Sequence, residues 1–426
     1  MPDRVPPEGD QPDQGGGTVI GKLLTGNVAA ASGARLARVD YVPAYPITPQ
    51  TEIIETIADW VREGSMDSKF VQLESEHSMM TAAGAASLAG ARVFTATSSQ
   101  GLLYAMEMLY NVSGWRAPIV LVNVSRALAA PIVLEPDHND VLAARDSGFL
   151  QFHSETCQEV ADLVLLAYRV AEDSRVMLPA IVNLDGFYLS FTREQVVLPE
   201  QEGVDSFLPP YNPVHPLKAS KPVAKGSAVM EGYIYSYFRY NMHAAALRAR
   251  KVFSEAAKDY EKLFGRAYGP VEGYMLDDAE YVLVMSNSFT SIGRQAVKKM
   301  RERGVAAGLL KLRMVRPFPS EDVAALLRGR KVAAVFDQNL APGAGGIFYP
   351  EVAASLYHVK GRPSAILPVV GGLGGKQLTP KEMTSIFERM QAIGRDGQTP
   401  APMYLMRDDE LAKAKRAVSI ATGESR

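Results

Sequence analysis

Several short stretches of this chain carry polar groups suited to binding or activating a small anion. In "VPAYPITPQTE" (Val42–Glu52) three prolines surround Thr48. Each proline fixes its own φ and drives the residue before it out of the helical region, so Tyr45 and Thr48 are expected to be extended. The result is a rigid ledge, which suits a hydroxyl that must be held in one place. The alternative is that Thr48 or Thr51 caps a helix with Glu52 and Glu55 in its first turn, and the stretch alone favours the cap. In "LESEHSMMTAAGAASLAGA", Glu74, Glu76 and His77 fall where a strand gives way to a helix of small residues. Ser75 is a natural N-cap there, and acids complement the helix dipole. The small side chains also allow a second surface to come close, which would desolvate a carboxylate and raise its pKa.

Arg126 follows the most apolar strand-like run, in "LVNVSRALAAPI". In a parallel α/β sheet, ligands bind at the carboxyl ends of the strands. A guanidinium there could hold a substrate carboxylate through two N–H groups, or form an ion pair at the surface or between domains. Ser98, Ser99, Gln100 and Gly101 occupy a comparable strand-to-helix junction, as ligand contacts or as a cap. Asp137, His138 and Asp140 resemble metal ligands, but their spacing fits no standard site and favours a loop hydrogen-bond cluster. The "GGLGG" of Gly371–Gly375 has no following Lys-Ser/Thr and reads as a tight turn, not a P-loop. Met79, Met80, Met106 and Met108 read as core filler.

The elements that must hold these groups alternate. Helical patterns at Gly26–Val39, Thr51–Arg62, Ser75–Ala89, Gly101–Val112 and Cys157–Asp173 are separated by strand patterns at Lys69–Leu73, Ala91–Thr97, Pro118–Val124 and Pro179–Leu184. Continuous apolar strands between helices predict a parallel sheet covered on both faces. The proline-rich Pro209–Ala224 reads as an extended linker, followed by a charged helix at Met242–Phe264. From Glu280 a second α/β alternation begins: strands at Tyr281–Ser286, Ala307–Leu312 and Lys331–Phe336, and helices at Ser291–Arg303, Ser320–Leu327 and Pro380–Ile393. The expected division is a disordered tail at 1–17, a first domain at 18–205, linker and long helix at 206–275, and a second domain at 276–426.

A chain of 426 residues with 47% apolar and 22% charged side chains fits two soluble domains. The net charge of −2, from 45 basic and 47 acidic residues, gives no footprint for nucleic acid or a membrane surface. Apolar runs are of strand length, too short to span a bilayer. The polar N-terminus is not a secretory signal, and cytoplasmic location is expected. With one cysteine, Cys157, the chain can form no internal disulfide and cannot by itself ligate an iron–sulfur cluster. Cys157 reads as a small buried apolar residue.

As an ordered set, "GN…YPITP…E", "ESEHS", "FTATSSQGL", "SRALAAPI", "DHND…ARDSGF" and "LPAIVNLDGF" resemble the alpha subunit of pyruvate:ferredoxin oxidoreductase and its 2-oxoacid:acceptor relatives. "LLKLRMVRPFP", "AAVFDQNLAPGAGG" and "GGLGGKQLTP" continue the likeness, which runs from about Gly21 to Ile393. The resemblance implies a pyrimidine-binding domain for thiamine diphosphate, followed by a transketolase C-terminal-like α/β domain. It implies oxidative decarboxylation of a 2-oxoacid to acyl-CoA and carbon dioxide, with ferredoxin or another electron acceptor. Glu76 falls on the glutamate that hydrogen-bonds the cofactor's aminopyrimidine. Thr48 and Arg126 fall on positions that contact cofactor or substrate. Ile47, Ser99 and Gln100 fall among the cofactor-binding positions.

The Gly-Asp-Gly that begins a diphosphate–Mg²⁺ site is absent from the sequence. The resemblance therefore implies a beta subunit carrying the diphosphate, Mg²⁺ and a cluster, with gamma- and delta-type electron-transfer subunits beside it; no metal site is assigned to this chain. Val133 and Leu134 stand where pyruvate-specific members carry an aromatic, which suggests a larger substrate such as phenylglyoxylate or a branched-chain acid. Thr48 argues against oxalate. The alternatives weighed are a thiamine-dependent transferase or lipoyl-linked decarboxylase subunit, and a non-catalytic structural subunit.

Overall fold

The structure, a computed structural model, describes residues 21–213, 215–397 and 400–422; the expected tail at 1–17 lies outside them. Four strands of the first half form parallel pairs in the order Leu150–His153, Ala180–Asp185, Val120–Ser125, Phe94–Thr97. A bridge from Val93 to Tyr41 carries the sheet on to Tyr41–Ala44, which pairs in parallel with Lys69–Gln72. Every residue of Val120–Ser125 and Ala180–Asp185 is buried, as central strands of a two-sided sheet require.

Helix Cys157–Ala171 covers one face and is itself buried at all but two positions. It tolerates so much burial because helix Gly26–Leu36, made largely of Gly, Ala and Ser, lies directly against it. A Cβ on Gly33 would come within 2.8 Å of Val164 Cβ. Cys157 is buried in this layer, and burial pushes its thiol up to about 12. It behaves as an apolar residue, not a nucleophile.

The second sheet runs Met403–Tyr404, Ala365–Val370, Val332–Asp337, Tyr281–Met285, Ala307–Leu312, Val271–Tyr274, and only the last strand is antiparallel. Val271–Tyr274 comes from the stretch expected as linker and helix. Met314–Arg316, from the second half, pairs with Leu150–His153 at the edge of the first sheet. The second half therefore lends an edge strand to the first sheet. The halves also share an apolar cluster that includes Met80, Val141, Leu310 and Phe348.

The long helix begins at Gly232, ten residues before its expected start, and ends at Phe264. Its C-terminal half packs on Cys157–Ala171, while Tyr233, Tyr235, Tyr237, Phe238 and Tyr240 are exposed. Among the described residues no helix is long and apolar enough to cross a membrane.

Candidate active site

The four strands Lys69–Gln72, Tyr41–Ala44, Phe94–Thr97 and Val120–Ser125 lie side by side, and the chain leaving each carboxyl end supplies one part of the site. Glu76 opens the helix after the first, the proline ledge follows the second, Ser99 and Gln100 follow the third, and Arg126 follows the fourth. This is where a parallel sheet places its ligands.

Ser75 caps helix Glu76–Ala89, its hydroxyl accepting from the Ser78 N–H. Glu76 thus sits at the first helical position and is 5% exposed, whereas Glu74 is exposed and bonded to the Ser78 hydroxyl. Burial pushes the Glu76 carboxyl above its ordinary value, against the pull of its own backbone N–H and of Arg126. Gly101 faces it: a Cβ there would overlap both Glu76 Oε1 and Thr97 Oγ1. The Thr97 and Ser98 hydroxyls are buried without hydrogen-bond partners among the described residues. Ser98 occupies the N-cap position of the following helix but makes no side-chain cap bond.

The expectation that Thr48 or Thr51 caps the next helix is not met. That helix, Thr51–Arg62, has Gln50 at its N-cap and no side-chain cap bond. Gln50 is fully buried and its Nε2 donates to the Tyr45 carbonyl at 2.8 Å. From behind, Asn27 Nδ2 donates to the Pro49 carbonyl at 2.9 Å. Gly186 lets the ledge come close, since a Cβ there would reach within 2.7 Å of Pro49 Cγ. The ledge is therefore clamped through its backbone. The Thr48 side chain is left exposed, with no hydrogen bond among the described residues, and Ile47 beside it is half-buried. Asn27 and Gln50 were not read as site residues. The only sequence signal for Asn27 was its place in "GN".

Arg126 is half-buried. Its Nη1 donates to the Thr48 carbonyl at 2.8 Å and its Nη2 to Gln100 Oε1 at 3.0 Å, while Nε is buried without a partner. Ser99 Oγ donates to the same Gln100 oxygen at 2.6 Å. Among the described residues the Arg126 guanidinium bonds to neutral oxygens and forms no ion pair, so the ion-pair alternative is set aside. Burial lowers its pKa, with Asp140 and Glu76 acting in the opposite direction.

Asp137, His138 and Asp140 are all buried and hydrogen-bonded, but among the described residues to separate partners and not to one another as a single cluster. His138 Nε2 lies 2.9 Å from Asp185 Oδ1, and Asn287 of the second half joins both. Asp137 accepts from the Asn139 and Gly374 nitrogens. The "GGLGG" segment is a tight turn with positive φ at Gly372, Gly374 and Gly375. It buttresses the loop after Arg126, Gly375 N donating to the Pro136 carbonyl at 2.8 Å.

Residues 32–258 match the family described as pyruvate flavodoxin/ferredoxin oxidoreductase, thiamine diphosphate-binding, and residues 279–383 match pyruvate:ferredoxin oxidoreductase core domain II. The chain is 43% identical over 370 residues to pyruvate synthase subunit PorA of Methanothermobacter thermautotrophicus, covering 87% of this chain and 95% of that one. It is 41% identical over 381 residues to ketoisovalerate oxidoreductase subunit VorA of Pyrococcus horikoshii, covering 89% and 96%. In fold it is similar to the 2-oxoglutarate:ferredoxin oxidoreductase of Magnetococcus marinus, with a TM-score of 0.66 at 18% identity. That likeness covers 87% of this chain but only 65% of the longer one. A split-gene transketolase is similar in fold at a TM-score of 0.51 and 12% identity, covering 86% of this chain and 98% of that one.

Proposed function

The chain belongs to the pyruvate flavodoxin/ferredoxin oxidoreductase family, and we propose that it is the alpha-type subunit of a CoA-acylating 2-oxoacid:acceptor oxidoreductase. In this reading it acts on pyruvate or a larger 2-oxoacid such as a branched-chain acid. The observation that carries the reading is Arg126. A half-buried guanidinium that, among the described residues, bonds only to the neutral oxygens of Thr48 and Gln100 and touches no carboxylate is a seat for an anion that arrives from outside.

The residues present fit the six-membered ring of thiamine diphosphate. Glu76 offers a buried carboxyl of raised pKa, Gly101 lets that carboxyl and the Thr97 hydroxyl come close together, and the Thr97 and Ser98 hydroxyls are buried without partners among the described residues. When bound, thiamine diphosphate supplies a nucleophilic carbon and a sink for the electrons released with carbon dioxide. Glu76 would hold a proton at its carboxyl oxygen against a ring nitrogen, in a setting that excludes water. Arg126 would bind and orient the substrate carboxylate. Thr48, on a backbone clamped by Asn27 and Gln50, would present its hydroxyl to the 2-oxoacid. Ile47, Ser99 and Gln100 complete the wall.

This chain has one cysteine and no Gly-Asp-Gly. A beta-type partner would therefore hold the diphosphate, Mg²⁺ and a cluster, and gamma- and delta-type subunits would pass electrons to ferredoxin or another acceptor. The exposed aromatics at the start of helix Gly232–Phe264 support burial against a partner chain. A CoA-dependent reaction with such an acceptor belongs in the cytoplasm.

The test is to purify the assembled complex and assay pyruvate, 2-oxoisovalerate and phenylglyoxylate with CoA and a dye acceptor, alongside Glu76→Gln. Acyl-CoA formation that disappears in the assembled variant is the expected result. Full activity in Glu76→Gln, or no 2-oxoacid turned over, would reject the proposal.

A further inference from the structure

The site depends on the separation of two strand ends that no sheet bond fixes. Strands Phe94–Thr97 and Val120–Ser125 are paired up to Thr97 and Asn123, and Ser99, Gln100 and Arg126 all lie beyond that last pair. Two ties close the gap: Ser99 Oγ lies 3.0 Å from the Ala127 carbonyl, and Asp140 joins the two backbones. Asp140 is fully buried in the short helix Asn139–Ala143. Its Oδ2 accepts from the backbone nitrogens of Ser99 at 3.0 Å and Arg126 at 3.2 Å, and from Asn123 Nδ2 at 3.1 Å. Its Oδ1 accepts from Ser125 Oγ at 3.1 Å and from the Val141 nitrogen at 2.7 Å.

One carboxylate therefore binds both exits at once. Ser99 needs the tie: its φ of +50° is left-handed for a residue with a side chain, a conformation that persists only where surroundings impose it. Holding Ser99 also holds Gln100, because Ser99 Oγ donates to Gln100 Oε1. That same oxygen accepts from Arg126 Nη2. Asp140 touches neither end of the Arg126 guanidinium's own contacts, yet it sets where the guanidinium and its acceptor stand relative to each other. Its negative charge also lies close enough to Arg126 to favour the charged guanidinium.

We infer that Asp140 is a positioning residue, whose buried carboxylate joins the Ser99 and Arg126 backbones and thereby fixes the seat of the substrate carboxylate. The inference rests on the assignment of Arg126 to the 2-oxoacid, and the experiment separates the two. In the assembled complex, Asp140→Asn, Arg126→Ala and the double variant are compared for kcat, for KM of the 2-oxoacid, and for equilibrium binding of oxamate, an unreactive pyruvate isostere, by calorimetry.

Asp140→Asn is expected to raise KM and weaken oxamate binding about tenfold, as loss of orientation does. The double variant is expected to be no worse than Arg126→Ala, because Asp140 acts through Arg126. Losses that multiply in the double variant, or an Asp140→Asn complex that is less heat-stable yet keeps its KM and oxamate affinity, would overturn the role of Asp140 alone. Arg126→Ala indistinguishable from wild type would overturn the site assignment beneath it. If Asp140→Asn does not assemble, Ser125→Ala removes one donor to Oδ1 and is expected to raise KM about threefold, again with no further effect on Arg126→Ala. An unchanged KM there would overturn the inference.

Discussion

Arg126 and Thr48 are 78 residues apart, and the guanidinium of one donates to the backbone carbonyl of the other at 2.8 Å. The bond joins the exit of a central strand to the proline ledge. It also uses Arg126 as a fork, one prong on Thr48 and one on Gln100. A lysine has one point of charge and cannot span both acceptors while receiving a carboxylate. Arg126→Lys is therefore expected to raise the KM for the 2-oxoacid by about ten- to hundredfold, the worth of one charge-assisted hydrogen bond. Steady-state kinetics on the assembled complex check this, and an unchanged KM would contradict it.

Gly101 supplies the second prediction. Its missing side chain is what lets the Glu76 carboxyl and the Thr97 hydroxyl pack directly against the helix that follows Thr97. Gly101→Ala would place a methyl group into both. The backbone around it is helical, so alanine costs nothing in conformation and the effect is confined to the site. The expected outcome is loss of at least about 99% of activity, the scale of a lost acid–base group, together with weakened thiamine diphosphate binding by fluorescence titration, and near-normal assembly.

Asn27 acts on the ledge from the side of helix Gly26–Leu36. It is fully buried, and its side chain is the partner of the Pro49 carbonyl. Asn27→Ala leaves that carbonyl unsatisfied, at a cost of about 1–3 kcal/mol. Thermal denaturation should show the loss, and because the ledge carries Thr48, kcat should fall along with stability. Unaltered kcat in the folded variant would show that the ledge holds without this clamp.

The parallel sheet was readable because its central strands are mostly apolar, each broken within only by one asparagine, Asn123 or Asn183, and Ser75 because a cap is a local pattern. Leu150–His153 was not read as a strand. Gln151 and His153 break its apolar run, and only the fold shows that both are buried and bonded, to the Val141 carbonyl and to Ser286. The long helix was expected to start at Met242, where an apolar stripe begins. Its tyrosine-rich first turns have no core-facing stripe, since they meet no core. Helices Phe348–Leu356 and Asp408–Thr422 were likewise missed. Within the site, residue types and places at strand ends were legible. The bonds from Arg126 to Thr48 and from Asp140 to Ser99 were not, because they join residues 78 and 41 positions apart. No periodicity encodes such a contact.

The last prediction concerns what holds the two halves together. Glu159, on the helix Cys157–Ala171 of the first half, meets Lys311 and, at 2.9 Å, Arg313, both from the second half. All three are buried, and Glu155 and Glu272 complete the network. Burial alone would raise the pKa of Glu159, but Arg313 and Lys311 outweigh it and hold the carboxyl at about 2, against an ordinary 4.5. A folded-state pKa below the unfolded one means that the unfolded chain takes up the proton first. The stabilisation is therefore complete above about 4.5 and is lost as the pH falls from there through about 2. Glu159→Gln keeps the shape, removes the charge and leaves two buried cations short of a partner. Breaking a buried pair in this way costs about 3–5 kcal/mol. Chemical denaturation of wild type and variant at a series of pH values should give that difference near neutrality and a shrinking one below pH 4.5. A difference that stayed constant into acid, or that grew, would mean that the charge of Glu159 does not join the halves.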